Sequence, residues 1–387
     1  MTASSSRTFA VALITFATFT DVIAYSVAVP VLPDLTRTLG ASPTTVGLLF
    51  ASFGAAALCV AIPAGAMSDR IGRKAPLAAG LIGLLIASLM LADAKTLPAL
   101  FAARLAQGAA DAVTWVVGFA LLADLYEPAA RGRASGIVMS GASSAFVIGP
   151  SIGGWLYELG GLQLPFLAVA AMSALGAVAT LWLKGPQTQT KHERVPVWSV
   201  LRVPAVGACA AAVVLASATI SMLEPMLALH LQRLDVNPAR IGLVFGCAAV
   251  VLAILHPLYG RLSDRLGARR LTVWGLVVSA CVMPLVGLIV GFASAIPIFI
   301  VQTAAVAMVI SPSLAYMAEA TSSAGLGSFG VAYGLYNVAW GVGLLVGPAI
   351  GGVLFERIGF QRLALWWSPA VLLLTVLVAR VRHETSA

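Results

Sequence analysis

The chain has 387 residues, 60% of them hydrophobic and 10% charged, with a mean hydropathy of +0.98. Soluble domains carry about 25% charged residues, so this sequence cannot cover a water-facing surface of its size and its apolar surplus must face lipid. A secreted domain, a cytosolic enzyme and a disordered chain are excluded on that ground. The net charge of +8 comes without a Lys/Arg-rich run, so nucleic acid is not an expected partner. At about 32 residues for a span and a short loop, the length accommodates about twelve membrane helices.

Twelve apolar runs of that kind occur, near 8–31, 44–67, 75–92, 98–122, 134–157, 163–183, 204–229, 241–259, 271–290, 297–319, 330–354 and 361–379. The first is too long for a signal-peptide core and reads as a retained span. Alternate loops differ in Lys and Arg, which sets orientation. With the N-terminus inside, sixteen fall in inner segments and six (Arg37, Lys95, Arg233, Arg240, Arg357, Arg362) in outer loops, while Arg104 lies within a span. Both termini are therefore expected in the cytoplasm, with the protein in the cell membrane. The four cysteines (Cys59, Cys209, Cys247, Cys281) each sit in an apolar run at unrelated spacings; they read as small core residues, neither a disulfide framework nor a metal site.

The longest polar segment, KGPQTQTKHERVPVWSVLR, starts at Lys184 and reads as a linker (184–203) between halves 1–183 and 204–387. The halves repeat. GAMSDRIGRK at 65–74 returns as GRLSDRLGARR at 260–270, and GPSIGG at 149–154 returns as GPAIGG at 347–352. Duplication of a six-helix unit is the sequence mark of a secondary transporter. There is no GxxxxGK[ST] phosphate loop and no recognisable nucleophile motif, so neither ATP hydrolysis nor another enzymatic activity is expected, and no cofactor.

The segment Gly65, Ser68, Asp69, Arg70, Gly72, Arg73, Lys74 resembles the cytoplasmic signature loop of the major facilitator superfamily. Asp21, Tyr25, Ser26, Pro30, Leu32 and Pro33 resemble the helix 1 motif of its drug:proton antiporters. Arg104, Gln107 and Gly108 resemble their helix 4 motif, and Gly141 with Gly149, Pro150, Gly153 and Gly154 resembles their helix 5 antiporter motif. Within that superfamily, Leu223-Glu224-Pro225, Leu156-Tyr157-Glu158 and Tyr316-Met317-Ala318-Glu319 resemble vesicular amine transporters. The sequence departs from that branch in a first outer loop of about ten residues, in Asn337 where the branch has an acid, and in Phe53 in place of a lysine. The resemblance implies an all-α membrane fold of twelve helices in two pseudo-symmetric six-helix bundles. It also implies antiport of an organic cation against protons, with the proton gradient as energy source and the bilayer as surroundings; a monomer is expected.

The residues themselves carry a parallel reading. Asp21 lies about 13 residues into the first span, roughly 20 Å from its inner end, where an ionisable group is costly and functional by default. It binds a cation or a proton, or forms an ion pair with Arg104. Tyr25, one turn on, offers a cation–π face or is ordinary packing. Arg104 stays charged and biases a neighbouring carboxyl or clamps two helices. Asp111, seven residues further on the same helix face, is a proton site or the partner that neutralises Arg104. Glu224 precedes Pro225, which frees a backbone carbonyl, and by resemblance is a substrate or proton carboxylate. Glu319 lies near an inner helix end, where a Glu reaches water at little cost; the resemblance makes it a candidate coupling acid. Asn337, with Tyr333, Tyr336 and Trp340, lines a cavity or forms a packed aromatic stripe. Gly65, Asp69, Arg70, Gly72 and Arg73, with Asp264 and Arg265 in the repeat, read as a conformational latch. A proton-coupled symporter or facilitator of a sugar or organic acid is the alternative, and it predicts neutral or basic cavity residues. A receptor or scaffold on a transporter fold predicts that Asp21→Asn changes nothing.

Overall fold

The computed structural model describes residues 3–183, 203–323 and 329–381. Among them only helices form: α1 (Ala3–Thr38), α2 (Pro43–Ile71), α3 (Lys74–Ala92), α4 (Leu97–Leu125), α5 (Pro128–Gly160), α6 (Gln163–Ala179), α7 (Pro204–Arg233), α8 (Pro238–Leu266), α9 (Ala268–Val286) and α10 (Phe292–Ser323). A last helical stretch, Phe329–Arg380, is broken at Gly359 (φ 79°, ψ 167°); its parts before and after the break are α11 and α12. Eleven continuous stretches are thus long and apolar enough to span a membrane, because the final turn is a single residue. This is an all-α, multi-pass membrane fold. The expected linker lies outside the described residues except for Val203.

Local sequence sets the helix boundaries. Proline opens α2, α5, α7 and α8, where its missing N–H would have no intrahelical partner anyway. Thr96 caps α4 by accepting from the Ala99 amide at 3.4 Å. The turns carry the duplication more sharply than the sequence does. The described residues with left-handed backbone are Gly40, Gly72, Gly161, Asp235, Gly267 and Gly359, and they fall into three pairs separated by the same 195 or 198 residues as the motifs. Gly72 (φ 89°) and Gly267 (φ 90°) make the tight turns of the two signature loops, a conformation other residues resist.

By contacts the chain divides into two units, Met1–Ala41 with Ser52–His192 and Asn237–Gly246, and Ser42–Ala51 with Glu193–Val236 and Cys247–Ala387. In the first, α1 packs on α5, α4 and α6; in the second, α7 packs on α11 and α10. α1 and α7 are the enclosed helices: 78% of the apolar window of each is buried, against 33–50% in the other spans. The outward residues of those other spans, such as Ile62, Ile86, Leu175 and Leu373, are large and apolar, as lipid requires.

Small residues allow the close crossings. A Cβ on Gly141 would lie 2.5 Å from Thr15 Cγ2, and one on Gly153 would lie 2.9 Å from Val27 Cα, while Gly149 leaves the space that the Ser26 side chain fills. Gly343, Gly347 and Gly351 repeat this on α11 against Ser217, Ala218 and Met222 of α7. The last glycine of each motif meets the start of another helix. A Cβ on Gly154 would lie 2.5 Å from the Pro238 carbonyl oxygen, and one on Gly352 would lie 2.6 Å from that of Pro43. Ser151 Oγ donates to the Gly242 carbonyl at 3.2 Å, beside Pro150. Glu356 Oε2 accepts from the Thr44 amide at 3.0 Å. The antiporter-type motif is therefore a packing element in both copies.

Candidate functional site

In the first unit the acids expected to matter come together. Asp21 is 2% exposed, and its Oδ2 accepts a hydrogen bond from the Trp115 indole Nε1 at 2.9 Å. Asp111, one helical turn before Trp115 on α4, faces Asp21 closely enough for the two carboxyls to interact, although Asp21 Oδ1 makes no hydrogen bond of ordinary length. Asp111 is less completely buried than Asp21. It also feels the charge of Arg104, as the seven-residue spacing anticipated. Asp111 thus lies beside Asp21 and within electrostatic reach of Arg104.

Arg104 is 0% exposed and is held by aromatic faces. Its Cζ lies 4.8 Å from the Phe53 ring centroid and 5.5 Å from that of Tyr25, and its Nη1 donates to Gln107 Oε1 at 2.5 Å. The helix 4 motif explains this box. Gly108 lets α4 come against the backbone of Phe53, which brings that ring onto the guanidinium. Tyr25 is 8% exposed and packs tilted against Phe53, with ring centroids 5.1 Å apart and 53° between planes. The cation on its face is Arg104.

Glu224 lies in the second unit, 6% exposed in the stretch of α7 from Ser221 to Leu229 that is buried on all sides. Glu319 and Asn337 are exposed. Tyr336 and Trp340 stack at 6.3 Å, half-buried; the Tyr333 side chain lies outside the described residues. His230 and His256 bond the Ile289 carbonyl and Ser311 Oγ, each at 2.8 Å.

The first signature loop is an internal clamp. Arg73, 5% exposed, donates through Nε to Asp124 Oδ2 at 2.7 Å, and through Nη1 to Asp69 Oδ1 at 2.7 Å and Ser68 Oγ at 2.6 Å. Burial opposes the guanidinium charge, but the hydrogen bonds to Asp124 and Asp69 outweigh it and raise the pKa above its ordinary value. Ser68 in turn donates to the Gly65 carbonyl at 2.9 Å, and Lys74 Nζ donates to the Leu181 carbonyl at 2.7 Å. Asp69 is half exposed, and Arg70, Asp264 and Arg265 are exposed. The repeat keeps only part of this arrangement. Arg269, the counterpart of Lys74, donates to the Ala379 carbonyl at 2.9 Å, as Lys74 does to Leu181. The counterpart of Arg73 is Ala268, so the second copy has no such clamp at that position.

Three residues that matter were not singled out from sequence. Trp115 carries the hydrogen bond to Asp21, and its position four residues after Asp111 is the signal that marks it. Asp124 is far from Arg73 in the chain. Phe53 registered only as a departure from a lysine.

A family model, Major Facilitator Superfamily, matches residues 14–211 and again residues 209–387. The chain belongs to the major facilitator superfamily. Among curated proteins it is similar to the synaptic vesicular amine transporter of Bos taurus, 30% identical over 81% of this chain and 62% of that protein. It is 28% identical to the chromaffin granule amine transporter of Homo sapiens over 82% and 61%. It is also 28% identical to the probable vesicular acetylcholine transporter-B of Danio rerio, over 92% and 76%. The chain spans about three fifths of the length of those two amine transporters. Among solved structures it is similar to a bacterial homolog of the human lysosomal transporter Spinster, with a TM-score of 0.81 at 16% identity over 96% and 95% of the two chains. The human organic anion transporter MFSD10 gives a TM-score of 0.70 at 19% identity over 96% and 99%. At these identities the likeness is one of fold.

Proposed function

We propose that the chain is a secondary transporter that exports an organic cation, an amine or a lipophilic cationic drug, in exchange for protons by alternating access. One observation carries this reading: a buried carboxyl, Asp21, which accepts a hydrogen bond from a neutral indole and has a second carboxyl beside it. Two carboxylates so close in a low-dielectric site cannot both ionise without a proton or another cation between them. Such a pair exchanges one for the other. The amine and acetylcholine transporters to which the chain is similar support the same class of substrate. In this reading Glu224 is a second acid of the pathway in the half 204–387, and the signature loops stay inside with both termini, in the cell membrane.

The test is transport by the purified chain in proteoliposomes. An imposed pH gradient is expected to drive accumulation of a cationic substrate, and collapsing the gradient with a protonophore to stop it. Movement indifferent to the gradient would sink proton coupling. Gradient-driven movement of a sugar or an organic acid would replace the cation reading with the symporter one.

A further inference from the structure

The arrangement around Asp21 assigns different roles to its two carboxyls. This inference rests on the cation–proton exchange proposed above and adds which group carries the proton. The Trp115 N–H is a donor aimed at Asp21 Oδ2, and a hydrogen-bond donor favours the ionised form of a carboxyl. Asp21 is closed off at 2% exposure, whereas Asp111 is less completely buried. The charged groups that bear on the pair within this unit are the two acids themselves and Arg104.

We propose that Asp111 is the proton carrier, that Asp21 stays anionic to receive the cation, and that the Trp115 indole is the positioning residue that keeps it so. Charge conservation in the buried cluster then sets the exchange ratio. With Asp21 ionised, Asp111 protonated and Arg104 charged, the cluster is neutral. When a monovalent cation binds Asp21, Asp111 gives its proton to water and the cluster is neutral again. One proton leaves for each cation that enters. Neither step places a net charge in the low-dielectric interior, where an isolated one is costly. Trp115 lies on the same face of α4 as Asp111 and stacks flat on Phe119, with centroids 5.8 Å apart and 5° between planes, so its N–H is held in direction.

The probe is tetraphenylphosphonium, a permanently charged cation that has no proton of its own to release. Binding to the purified full chain in weakly buffered detergent solution, with a pH dye, gives the protons released per cation bound. Wild type is expected to release about one near the pH midpoint of binding. Asp111→Asn leaves the bound cluster one charge positive, so it should bind more weakly, release none, and carry out cation counterflow in vesicles at raised substrate concentration while losing its response to a pH gradient. Trp115→Phe keeps an aromatic side chain beside Phe119 and removes the donor. Protons then compete better for Asp21, and the pH midpoint of binding moves up by roughly one unit, a shift that a loss of packing alone would not produce.

Wild type that binds and releases protons, with Asp111→Asn still driven by the gradient, would overturn the assignment to Asp111 and leave the cation reading standing. An unmoved midpoint in Trp115→Phe would overturn the role of the indole. A wild type that fails to bind the probe at all would count against the cation reading itself, and this proposal would fall with it.

Discussion

Asp21→Asn is expected to abolish proton-driven transport while leaving the protein folded and inserted. The substitution keeps the size of the side chain, and an amide oxygen still accepts from the Trp115 indole at 2.9 Å, so the packing of α1 against α4 has no reason to change. What is lost is the charge. Truncating one partner of a buried charge pair costs about 2–5 kcal/mol of binding free energy, equivalent to a fall in affinity of roughly thirty-fold to several thousand-fold. The cluster also changes character. With Asn at position 21, ionised Asp111 and Arg104 already balance, so no external cation is required and no proton has to move. Uptake and binding in the variant, set beside its unfolding midpoint in detergent, check this. A variant with wild-type uptake would favour the scaffold alternative, and one that fails to fold would make Asp21 a structural ion.

How much of this was open to sequence reading depends on whether the signal is local. The spans, their number and the duplicated motifs are compositional or periodic, and the family match to 14–211 and 209–387 agrees with the duplication read from Asp69 and Asp264. Asp21, Asp111 and Arg104 announced themselves because an ionisable group inside an apolar run is expensive wherever it points. Direction was not legible. Tyr25 faces Arg104 because Gly108 admits Phe53 to the crossing of α2 and α4, and such a crossing leaves no mark in either helix alone. Trp115 is unremarkable among eight tryptophans until the depth of Asp21 relative to α4 is fixed. Glu319 and Asn337 were picked out by resemblance, and both side chains are exposed. The paired left-handed turns were invisible for a simpler reason: Asp235 takes, with a side chain, the conformation that Gly40 takes without one.

Arg73 is where the largest loss of stability is expected. Its guanidinium reaches Asp124, whose side chain is 0% exposed, as well as Ser68 and Asp69. Arg73→Ala would strip the cation from that buried carboxylate, a change that costs about 3–5 kcal/mol where one partner of a buried pair is removed. Lysine should rescue little, because the contact uses Nε toward Asp124 and Nη1 toward Asp69 and Ser68, a fork that a single ammonium cannot reproduce. The bond to Asp69 adds little, since that side chain is 49% exposed and water screens the pair; Asp69→Ala should cost less than about 1 kcal/mol. The duplicate loop provides the control. Arg269 donates to the backbone carbonyls of Ala379 and Val381 at the end of the last helix, and its removal leaves no buried acid behind, so Arg269→Ala should cost no more than about 1.5 kcal/mol. Thermal unfolding of these variants, with Asp124→Ala in the wild-type and Arg73→Ala backgrounds, closes a double-mutant cycle. A coupling near zero between Arg73 and Asp124, or an equal cost for Arg73→Ala and Arg269→Ala, would mean that the first loop is no more than a positive-inside signal. A large coupling in the first copy alone would mean that the two halves, alike in their turns and glycines, have divided their work. The first loop would then hold its own unit together, and the second would be left free of that constraint.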